Sequence, residues 1–350
     1  MAASLRPAIH PRSTAFRSLN FSTVSCVDDV GRHESMTRWG FRYGRGMVAD
    51  TRSLGPFTTV LFGHEQGKYP DGNSVLVRGT HSSVVIDPSL SVHTAVPPIE
   101  VDRVLLTHAH EDHMAGVSAV VAGEVSVHHR DLPALQSIEG LMALYGVPAD
   151  GVAGMSALVT ERFNYRGWPE ATAFEGDAEW DLGGVTVRAV HAPGHTGGHC
   201  LFDIEPHDGT HRVVVTGDID LSSFGPYYGD AQSSLDEFEA TLALLPTLVA
   251  HHYVTFHHKG VIDGHEEWVA AVDAFGVAIA RREAALLGLL AEPRTFDELC
   301  AIGIVYRQGT RPPLFGDGVE AHSIERHLAR LLADGRVVSD GTHHRLADGA

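Results

Sequence analysis

The chain has 350 residues, with 26 basic and 44 acidic side chains and a formal net charge of −18 at pH 7. A hydrophobic content of 43% suits one large domain with a packed core and a small second domain, and no apolar run approaches the ~18 residues that a transmembrane helix needs. Most of the acid lies in residues 51–280, where 10 basic and 30 acidic groups give a net charge of −20. Because such a domain repels polyanions, the composition argues against nucleic acid as a partner and against a membrane protein.

The first 50 residues are basic, with 7 basic and 4 acidic groups. No acidic residue precedes Asp28, and residues 1–27 contain three arginines and several serines, a composition typical of an organelle transit segment. An overextended gene start, with Met36 or Met47 as the true first residue, explains the composition equally well. We expect residues 1–50 to be poorly ordered and to lie outside the catalytic fold.

The three cysteines, Cys26, Cys200 and Cys300, are far apart and show no disulfide pattern. This spacing indicates a reducing compartment. We therefore expect a cytoplasmic protein rather than one targeted to an organelle by residues 1–27. Cys200 opens an apolar run and is predicted to be a small buried side chain rather than a metal ligand.

Apolar runs separated by turn-forming residues predict a series of strands from residue 58 onward. These strands are residues 58–62, 74–78, 82–87, 101–106, 124–127, 185–190, 200–204 and 212–218, with a further short strand that begins at residue 253. Helices are predicted over residues 131–145, 234–245, 265–290 and 323–332, with a short helix that Thr295 caps. We expect Asp131 to cap the first of these helices and residues 146–180 to be irregular.

The most informative segment is His-x-His-x-Asp-His, which comprises His108, His110, Asp112 and His113 and follows the strand at residues 101–106. Imidazole and carboxylate groups bind divalent zinc well, and a catalytic site keeps one position open for water. The segment supplies more donors than one ion can use. It therefore predicts two metal ions side by side.

Three downstream segments can complete such a site. His195 lies in a Pro-Gly-His turn at the end of a strand, where it can point into a cleft. Asp218 ends the strand at residues 212–218, and a carboxylate there can bridge two cations. The strand that begins at residue 253 ends in His257 and His258. His199 is expected to be structural, and His191 to support a ligand at most.

Together the four segments resemble the metallo-β-lactamase superfamily of binuclear hydrolases over roughly residues 55–265. The resemblance implies an α/β fold, an αββα sandwich of two mixed sheets, with two divalent ions. His108, His110 and His195 would bind the first ion; Asp112, His113 and a terminal histidine would bind the second; Asp218 would bridge them. The family usually has Gly-His-Gly-Pro at the terminal position, and aligning Gly260 favours His258, with His257 as the alternative. Zn²⁺ is the expected metal, although iron and manganese accept the same ligands.

The chemistry that this resemblance implies is hydrolysis. Metal ions lower the pKa of bound water from about 15.7 toward 7, so a hydroxide that bridges the ions can attack, and Asp112 can orient it. Asp87 follows a predicted strand and is either an acceptor that orients a ligand histidine or a plain turn former. Tyr227 and Tyr228 could contact substrate, although packing is their simpler role.

The C-terminal pattern of helix, helix and hairpin, with Asp340-Gly341 at the hairpin turn, outlines a winged helix. It resembles the small C-terminal domain of the lactamase-beta-like hydrolases. We therefore divide the chain into residues 1–50, a catalytic domain at 51–270 and a winged-helix-like domain at 275–350. Arg326 and Arg330 could face a phosphate backbone. The near-neutral charge of residues 281–350, with 9 basic and 10 acidic groups, favours packing on the catalytic domain or on a homodimer partner instead.

Three functions follow from these observations. The first is a hydrolase of a small acyl substrate, a thioester, ester or lactone, that resembles glyoxalase II in its catalytic half. The second is a nuclease of the lactamase-beta-like type, which the acidic charge opposes. The third is a non-hydrolytic metal-binding protein or a di-iron protein that reacts with oxygen.

Overall fold

The computed structural model describes residues 50–307 and 309–348. The expectations for the N-terminal segment, including targeting by residues 1–27 and the alternative starts, lie outside the described residues. Within the described part, no helix is both long enough and apolar enough to cross a membrane.

The first sheet has seven strands that follow one another in chain order. They are β1 (Asp50–Ser53), β2 (Thr58–Phe62), β3 (Ser74–Arg78), β4 (Ser83–Ile86), β5 (Glu100–Leu105), β6 (Val121–His128) and β7 (Thr172–Phe174). Strands β1 to β4 pair antiparallel, whereas β4 to β7 pair parallel. The sheet is therefore mixed.

The second sheet has six strands in the order β13-β12-β11-β10-β9-β8. They are β8 (Glu179–Asp181), β9 (Val185–His191), β10 (Cys200–Pro206), β11 (Val213–Val215), β12 (His252–Val254) and β13 (Val261–Asp263). Strands β11 and β12 pair parallel, and the other pairs are antiparallel. Both sheets of the expected sandwich are thus mixed.

The two sheets pack face to face because alternate residues of their strands are apolar. In β3, Val75 and Val77 are fully buried, and in β9 Val185 and Val187 face them in the same cluster. Successive side chains of a strand point to opposite faces, so this two-residue period builds one inner face. Each buried valine contributes roughly 1.5–3 kcal/mol. Cys200 is fully buried in this core, which confirms its predicted role.

Helices cover the outer faces of both sheets. The helices are α1 (Leu90–His93), α2 (Leu132–Gln136), α3 (Ile138–Tyr145), α4 (Val152–Arg162), α5 (Leu235–Leu244), α6 (His265–Leu289), α7 (Phe296–Ile302) and α8 (Gly316–Ala333). Helices α2, α3 and α4 pack on the first sheet, and α5 and α6 pack on the second. The layers therefore run helix, sheet, sheet, helix.

Three predictions about helices need correction. The single helix predicted over residues 131–145 is broken at Ser137, whose extended backbone lets its hydroxyl accept a hydrogen bond from the Gly140 amide and cap α3. Asp131 does not cap α2, because its carboxylate accepts hydrogen bonds from other parts of the chain. Residues 146–180 are not wholly irregular, because α4 lies within them.

The C-terminal residues form a separate apolar cluster around Leu299, Ile324, Leu328 and Leu331. Its three-stranded sheet has the order β14 (Arg294–Thr295), β16 (His343–Leu346), β15 (Val337–Ser339). Thr295 caps α7 in a capping box with Glu298, as predicted. One continuous helix, α6, crosses the proposed boundary at residues 270–275.

Candidate metal centre

The loops that carry the predicted ligands meet at one edge of the sandwich. In the second sheet, pairing of His191 with Cys200 and of Phe202 with Val215 brings the carboxyl ends of β9 and β11 together. Strand β12 runs parallel to β11, so its carboxyl end lies there too. The Cys200 amide donates to the Thr107 carbonyl at 2.8 Å, which brings the loop after β5 to the same edge.

The first donor cluster contains three imidazoles and one carboxylate, from His108, His110, His195 and Asp218. His195 Nε2 lies 3.1 Å from both His108 Nε2 and His110 Nδ1, and 3.2 Å from Asp218 Oδ2. The three imidazoles are almost completely buried. All four residues predicted for the first ion and its bridge thus converge, although they span more than 100 positions of the chain.

The second donor cluster contains Asp112, His113 and His257. His257 Nε2 lies 2.9 Å from Asp112 Oδ2, and His113 Nε2 lies 3.0 Å from Asp218 Oδ1. Asp218 therefore presents Oδ1 to the second cluster and Oδ2 to the first. This is the arrangement that a bridging carboxylate requires.

The two candidate terminal histidines, His257 and His258, lie in different surroundings. His257 is buried and belongs to the second cluster. His258 has a backbone φ of +65°, and its half-exposed ring turns toward Asp220, with 3.8 Å between Nε2 and Oδ2. The structure thus groups His257, rather than His258, with the other donors of the second cluster, and the ring of His258 lies near Asp220 instead.

Acceptors on the outer side of the imidazoles fix which ring nitrogen faces inward. His195 Nδ1 lies 3.0 Å from the Tyr227 carbonyl, and His257 Nδ1 lies 2.8 Å from the Gly67 carbonyl. A carbonyl can only accept, so each Nδ1 carries the proton and each inward Nε2 of the neutral ring is a lone pair. Lone pairs that converge at about 3 Å repel one another unless a cation or proton lies between them.

Asp87 takes the role of an orienting acceptor. It is buried, and its Oδ2 lies 2.9 Å from His113 Nδ1. The Thr107 amide and hydroxyl both donate to the same carboxylate at 2.7 Å. Asp87, which directly follows β4, thus holds both ends of the segment from Thr107 to His113.

Asp230 plays the corresponding role for the first cluster, although no sequence pattern pointed to it. Its Oδ2 lies 2.8 Å from His110 Nε2, and the Tyr227 hydroxyl donates to its Oδ1 at 3.1 Å. Tyr227 therefore supports the site through Asp230 and through its carbonyl. Tyr228 does not reach the site; it is buried, and its hydroxyl lies 2.9 Å from His327 Nε2 in α8.

Two further buried groups hold the ligand loops without facing an ion. The Asp131 carboxylate accepts hydrogen bonds from the Ala109 and Gly198 amides and from the Thr196 hydroxyl, so it joins the His110 loop to the His195 loop. His199 lies 3.0 Å from the Ala192 carbonyl through Nδ1 and accepts from the Asp218 amide through Nε2. Its role is structural, as expected.

Glu111 adds an acidic wall beside the second cluster. It is buried, and its carboxylate accepts hydrogen bonds from the Tyr69 hydroxyl at 3.2 Å and from the Tyr145 hydroxyl. Tyr69 is 40% exposed, so the hydrogen-bonded pair of Tyr69 and Glu111 reaches solvent on the Tyr69 side. No sequence pattern pointed to these three residues, because Glu111 occupies a position that the donor motif leaves unspecified and the two tyrosines lie far from it in the chain.

A third group of donors, His128, His129 and Glu175, lies near the end of β6. His128 Nδ1 accepts a hydrogen bond from the Arg130 amide, and the latter two members of the group are exposed. Burial and the neighbouring His191, His129 and Arg130 lower the pKa of His128 to about 4. The nearby arginine disfavours a cation, so we assign no ion to this group.

The pKa values of the imidazoles in the two clusters are shifted in opposite directions, because burial and neighbouring imidazoles lower them whereas nearby carboxylates raise them. Burial and the surrounding imidazoles lower the pKa of His108 well below its ordinary value of 6.5. Burial also opposes protonation of His110 and His257, but carboxylates outweigh it. Asp230 raises the pKa of His110 to about 9, and Asp112 and Asp218 raise that of His257 to about 9.

These raised pKa values predict that metal ions must displace protons. Below about pH 9, His110 and His257 in the metal-free protein each carry a second ring proton and a positive charge. An imidazole that binds a metal ion must be neutral, so this second proton has to leave. The apparent affinity for Zn²⁺ should therefore rise between pH 6 and pH 9, by about tenfold per pH unit for each proton displaced. Titration of the metal-free protein with Zn²⁺ in a weakly buffered solution should release protons.

The raised pKa values of His110 and His257 also make the stability of the metal-free protein depend on pH. Because the folded pKa of each imidazole exceeds the unfolded value of 6.5, protonation stabilises the metal-free fold fully below pH 6.5 and ceases to do so as pH rises through about 9. An affinity for Zn²⁺ that stays constant from pH 6 to pH 9, with no proton release, would contradict the prediction that metal ions displace protons from His110 and His257.

The donor set fits a pair of borderline-soft divalent cations. Two ligands about 2.0–2.2 Å from one tetrahedral ion lie roughly 3.3 Å apart, close to the 3.1–3.2 Å between donors of the first cluster. Inward lone pairs, outward acceptors and a shared carboxylate satisfy the requirements of such a centre. A sandwich of two mixed sheets with this donor set at one edge defines a metal-binding α/β protein.

Comparison with known families agrees with that class. Residues 69–273, more than half of the chain, match the model of the metallo-beta-lactamase superfamily. The chain therefore belongs to this superfamily. Its homologues include proteins named as thioesterases, and the donor clusters are suited to divalent metal ions.

Two curated relatives are named atrochrysone carboxyl ACP thioesterases. The one from Passalora fulva is 26% identical over 203 residues, which cover 55% of this chain and 51% of the relative. The one from Pseudocercospora fijiensis (strain CIRAD86) is 26% identical over 310 residues, 83% of this chain and 79% of the relative. The chain thus spans about half the length of the first relative and four fifths of the second.

Two solved structures show the same fold. A metallo-beta-lactamase family protein from Thermus thermophilus has a TM-score of 0.55 and 20% identity, covering 79% of this chain and 93% of that one. A beta-lactamase domain protein from Burkholderia ambifaria has a TM-score of 0.58 and 16% identity, covering 85% and 94%. At these identities the likeness concerns the fold alone.

Proposed function

We propose that this chain is a binuclear metal-dependent hydrolase that cleaves acyl thioesters. The observation that carries the proposal is the pair of donor clusters that share Asp218, one oxygen to each. The two relatives named as thioesterases favour the thioester among the acyl substrates that such a centre can hydrolyse. Esters and lactones are the next candidates.

In this proposal each cluster holds one Zn²⁺ ion. The first ion would be held by His108, His110 and His195, and the second by Asp112, His113 and His257. Asp218 would contribute one carboxylate oxygen to each cluster. When bound, the ions supply hydroxide near neutral pH and polarise the carbonyl oxygen under attack. The protein's own contribution is to fix the orientation of two imidazoles: Asp87 holds that of His113, and Asp230 holds that of His110.

Asp112 is the residue that we assign to orienting the attacking water. Its Oδ2 lies 2.9 Å from His257 Nε2 and 4% of the residue is exposed, so the carboxylate is fixed within the second cluster. The oxygen of water forms a bond to the acyl carbon, the carbon–sulfur bond breaks, and the thiolate leaves. The proton from water passes to the thiolate, so the products are a carboxylic acid and a thiol.

The C-terminal residues support a small substrate rather than a nucleic acid. Arg326 donates to backbone carbonyls of residues 230–233, and Arg330 pairs with Glu239 and Glu283. Neither guanidinium group is available for a phosphate backbone. We propose that the C-terminal residues form a winged-helix-like domain that packs on a glyoxalase II-like catalytic domain, and that the two domains divide at about residues 270–275. We also propose that the protein is cytoplasmic.

A substrate panel tests the proposal. Protein purified without chelators should contain close to two metal ions per chain by elemental analysis. It should hydrolyse acyl thioesters of coenzyme A, of glutathione or of an acyl carrier protein more rapidly than aryl esters and lactones. Turnover confined to bis-p-nitrophenyl phosphate or labelled RNA would overturn the proposal in favour of the nuclease. The metal-free protein is the control for each substrate.

A further inference from the structure

The segment at residues 226–233 lies between the first donor cluster and the C-terminal helices; we name it the linking segment. On its inner side, Asp230 Oδ2 lies 2.8 Å from His110 Nε2, and the Tyr227 carbonyl lies 3.0 Å from His195 Nδ1. The Ser233 hydroxyl donates to the His195 carbonyl at 2.6 Å. Two of the three imidazoles of the first cluster therefore depend on this segment.

On its outer side, cationic and imidazole side chains from α6 and α8 bind the carbonyls of the linking segment. Arg326 donates through Nε to the Ser233 carbonyl at 3.0 Å and through one terminal nitrogen to the Asp230 carbonyl. His322 Nδ1 lies 2.7 Å from the Gly229 carbonyl. Arg282 in α6 donates to the Pro226 carbonyl. These groups hold an irregular stretch that has no strand partner among the described residues.

The approach of α8 to this segment is close enough to require glycine. A Cβ atom on Gly229 would lie 2.5 Å from Val319 Cγ1, far inside van der Waals contact. The helix is therefore seated directly on the backbone that carries Asp230. A displacement of α8 would move the Asp230 carboxylate and, with it, the ring of His110.

Within residues 50–307 and 309–348, no hydrogen bond joins the linking segment directly to Asp112, His113 or His257. His113 is held by Asp87 at the end of β4, and His257 by the Gly67 carbonyl. Both supports come from the first 90 residues of the chain. The two clusters are thus positioned by different parts of the protein.

We propose that Arg326 is a positioning residue for the first metal ion, which acts through the linking segment on His110 and His195. The C-terminal domain then helps to position the donors of the first cluster, whereas the affinity for the second ion does not depend on it. The proposal rests on metal binding by the two clusters but not on the identity of the substrate. It concerns the affinity of one ion relative to the other.

The test separates the two clusters by removing each in turn. Arg326→Gln is introduced into His257→Ala protein, in which the first cluster remains, and into His110→Ala protein, in which the second remains. Zn²⁺ affinity is measured by competition with a chromophoric chelator. We expect Arg326→Gln to weaken binding by roughly 10–100-fold in the first background and to leave it unchanged in the second.

Arg330→Gln is the matched control. Arg330 lies one helical turn further along α8 and pairs with Glu239 and Glu283, but not with the linking segment. It should leave both affinities unchanged. Equal losses from Arg326→Gln in the two backgrounds, or none in either, would overturn the proposal.

Arg326→Lys guards against a variant that fails to fold. Lysine keeps the charge but lacks the planar guanidinium group that reaches two carbonyls at once. Arg326→Lys should therefore lower the Zn²⁺ affinity of the first cluster by a smaller factor than Arg326→Gln does. Circular dichroism and thermal unfolding establish that each variant is folded before titration. If the unmutated protein bound no Zn²⁺, the proposed function itself would be wrong, an outcome distinct from failure of the Arg326 comparison.

Discussion

Replacing Asp218 with asparagine should leave the protein with about one tightly bound Zn²⁺ and lower thioester hydrolysis on the order of 10³-fold. An amide has one oxygen and one NH₂ group, so it can serve only one of the two clusters that the carboxylate now joins. Loss of one ion removes several kcal/mol of transition-state stabilisation, and each 1.36 kcal/mol is about tenfold in rate. Elemental analysis and initial rates at saturating Zn²⁺ measure the two effects.

Asp220→Asn is the control for this substitution. Asp220 lies two residues further along the same loop, and its carboxylate accepts from the Ser222 amide rather than belonging to either donor cluster. It should keep two ions and most of the activity. If Asp218→Asn also retained two ions and a full rate, Asp218 would not bridge the clusters, and the binuclear proposal would fall.

Local patterns in the sequence are sufficient to predict most of the longer strands and the donor motif, but not the short strands β1, β7, β8 and β13. The strands at Thr58–Phe62 and Ser74–Arg78 match the predicted bounds, because an apolar run bounded by turn-forming residues is a property of a few adjacent residues. His108 and His110 are two residues apart, so their proximity is also a local property. For these features, the period of the pattern carries the structural information.

Contacts between distant parts of the chain could not be predicted in the same way. Asp230 meets His110 across 120 positions, in an irregular segment whose path depends on α8. Asp131 precedes a proline and has the signature of a helix cap, yet the Thr196 hydroxyl and the Ala109 and Gly198 amides use its carboxylate instead. A tertiary demand for an acceptor outweighs a local preference here, because an unpaired buried amide costs about 1–3 kcal/mol.

The choice between His257 and His258 is the prediction that most sharply separates sequence from structure. His257→Ala should remove the second ion and reduce hydrolysis by on the order of 10²–10³-fold, because one of three imidazole or carboxylate donors of that cluster is lost. His257 is also the partner that lies 2.9 Å from Asp112. The substitution therefore frees the carboxylate that we assign to orienting water. Zn²⁺ content and thioesterase rate provide the measurements.

His258→Asn is the matched partner of that substitution. Asparagine tolerates the left-handed backbone at φ +65° better than alanine does, so the loop that carries His257 should keep its path. Because the ring of His258 turns toward Asp220 and is half-exposed, its loss should leave two ions and change the rate by less than about threefold, within the usual effect of a surface substitution. The opposite result, in which His258→Asn lost an ion and His257→Ala did not, would restore the alignment on Gly260 and require a different path for residues 255–260.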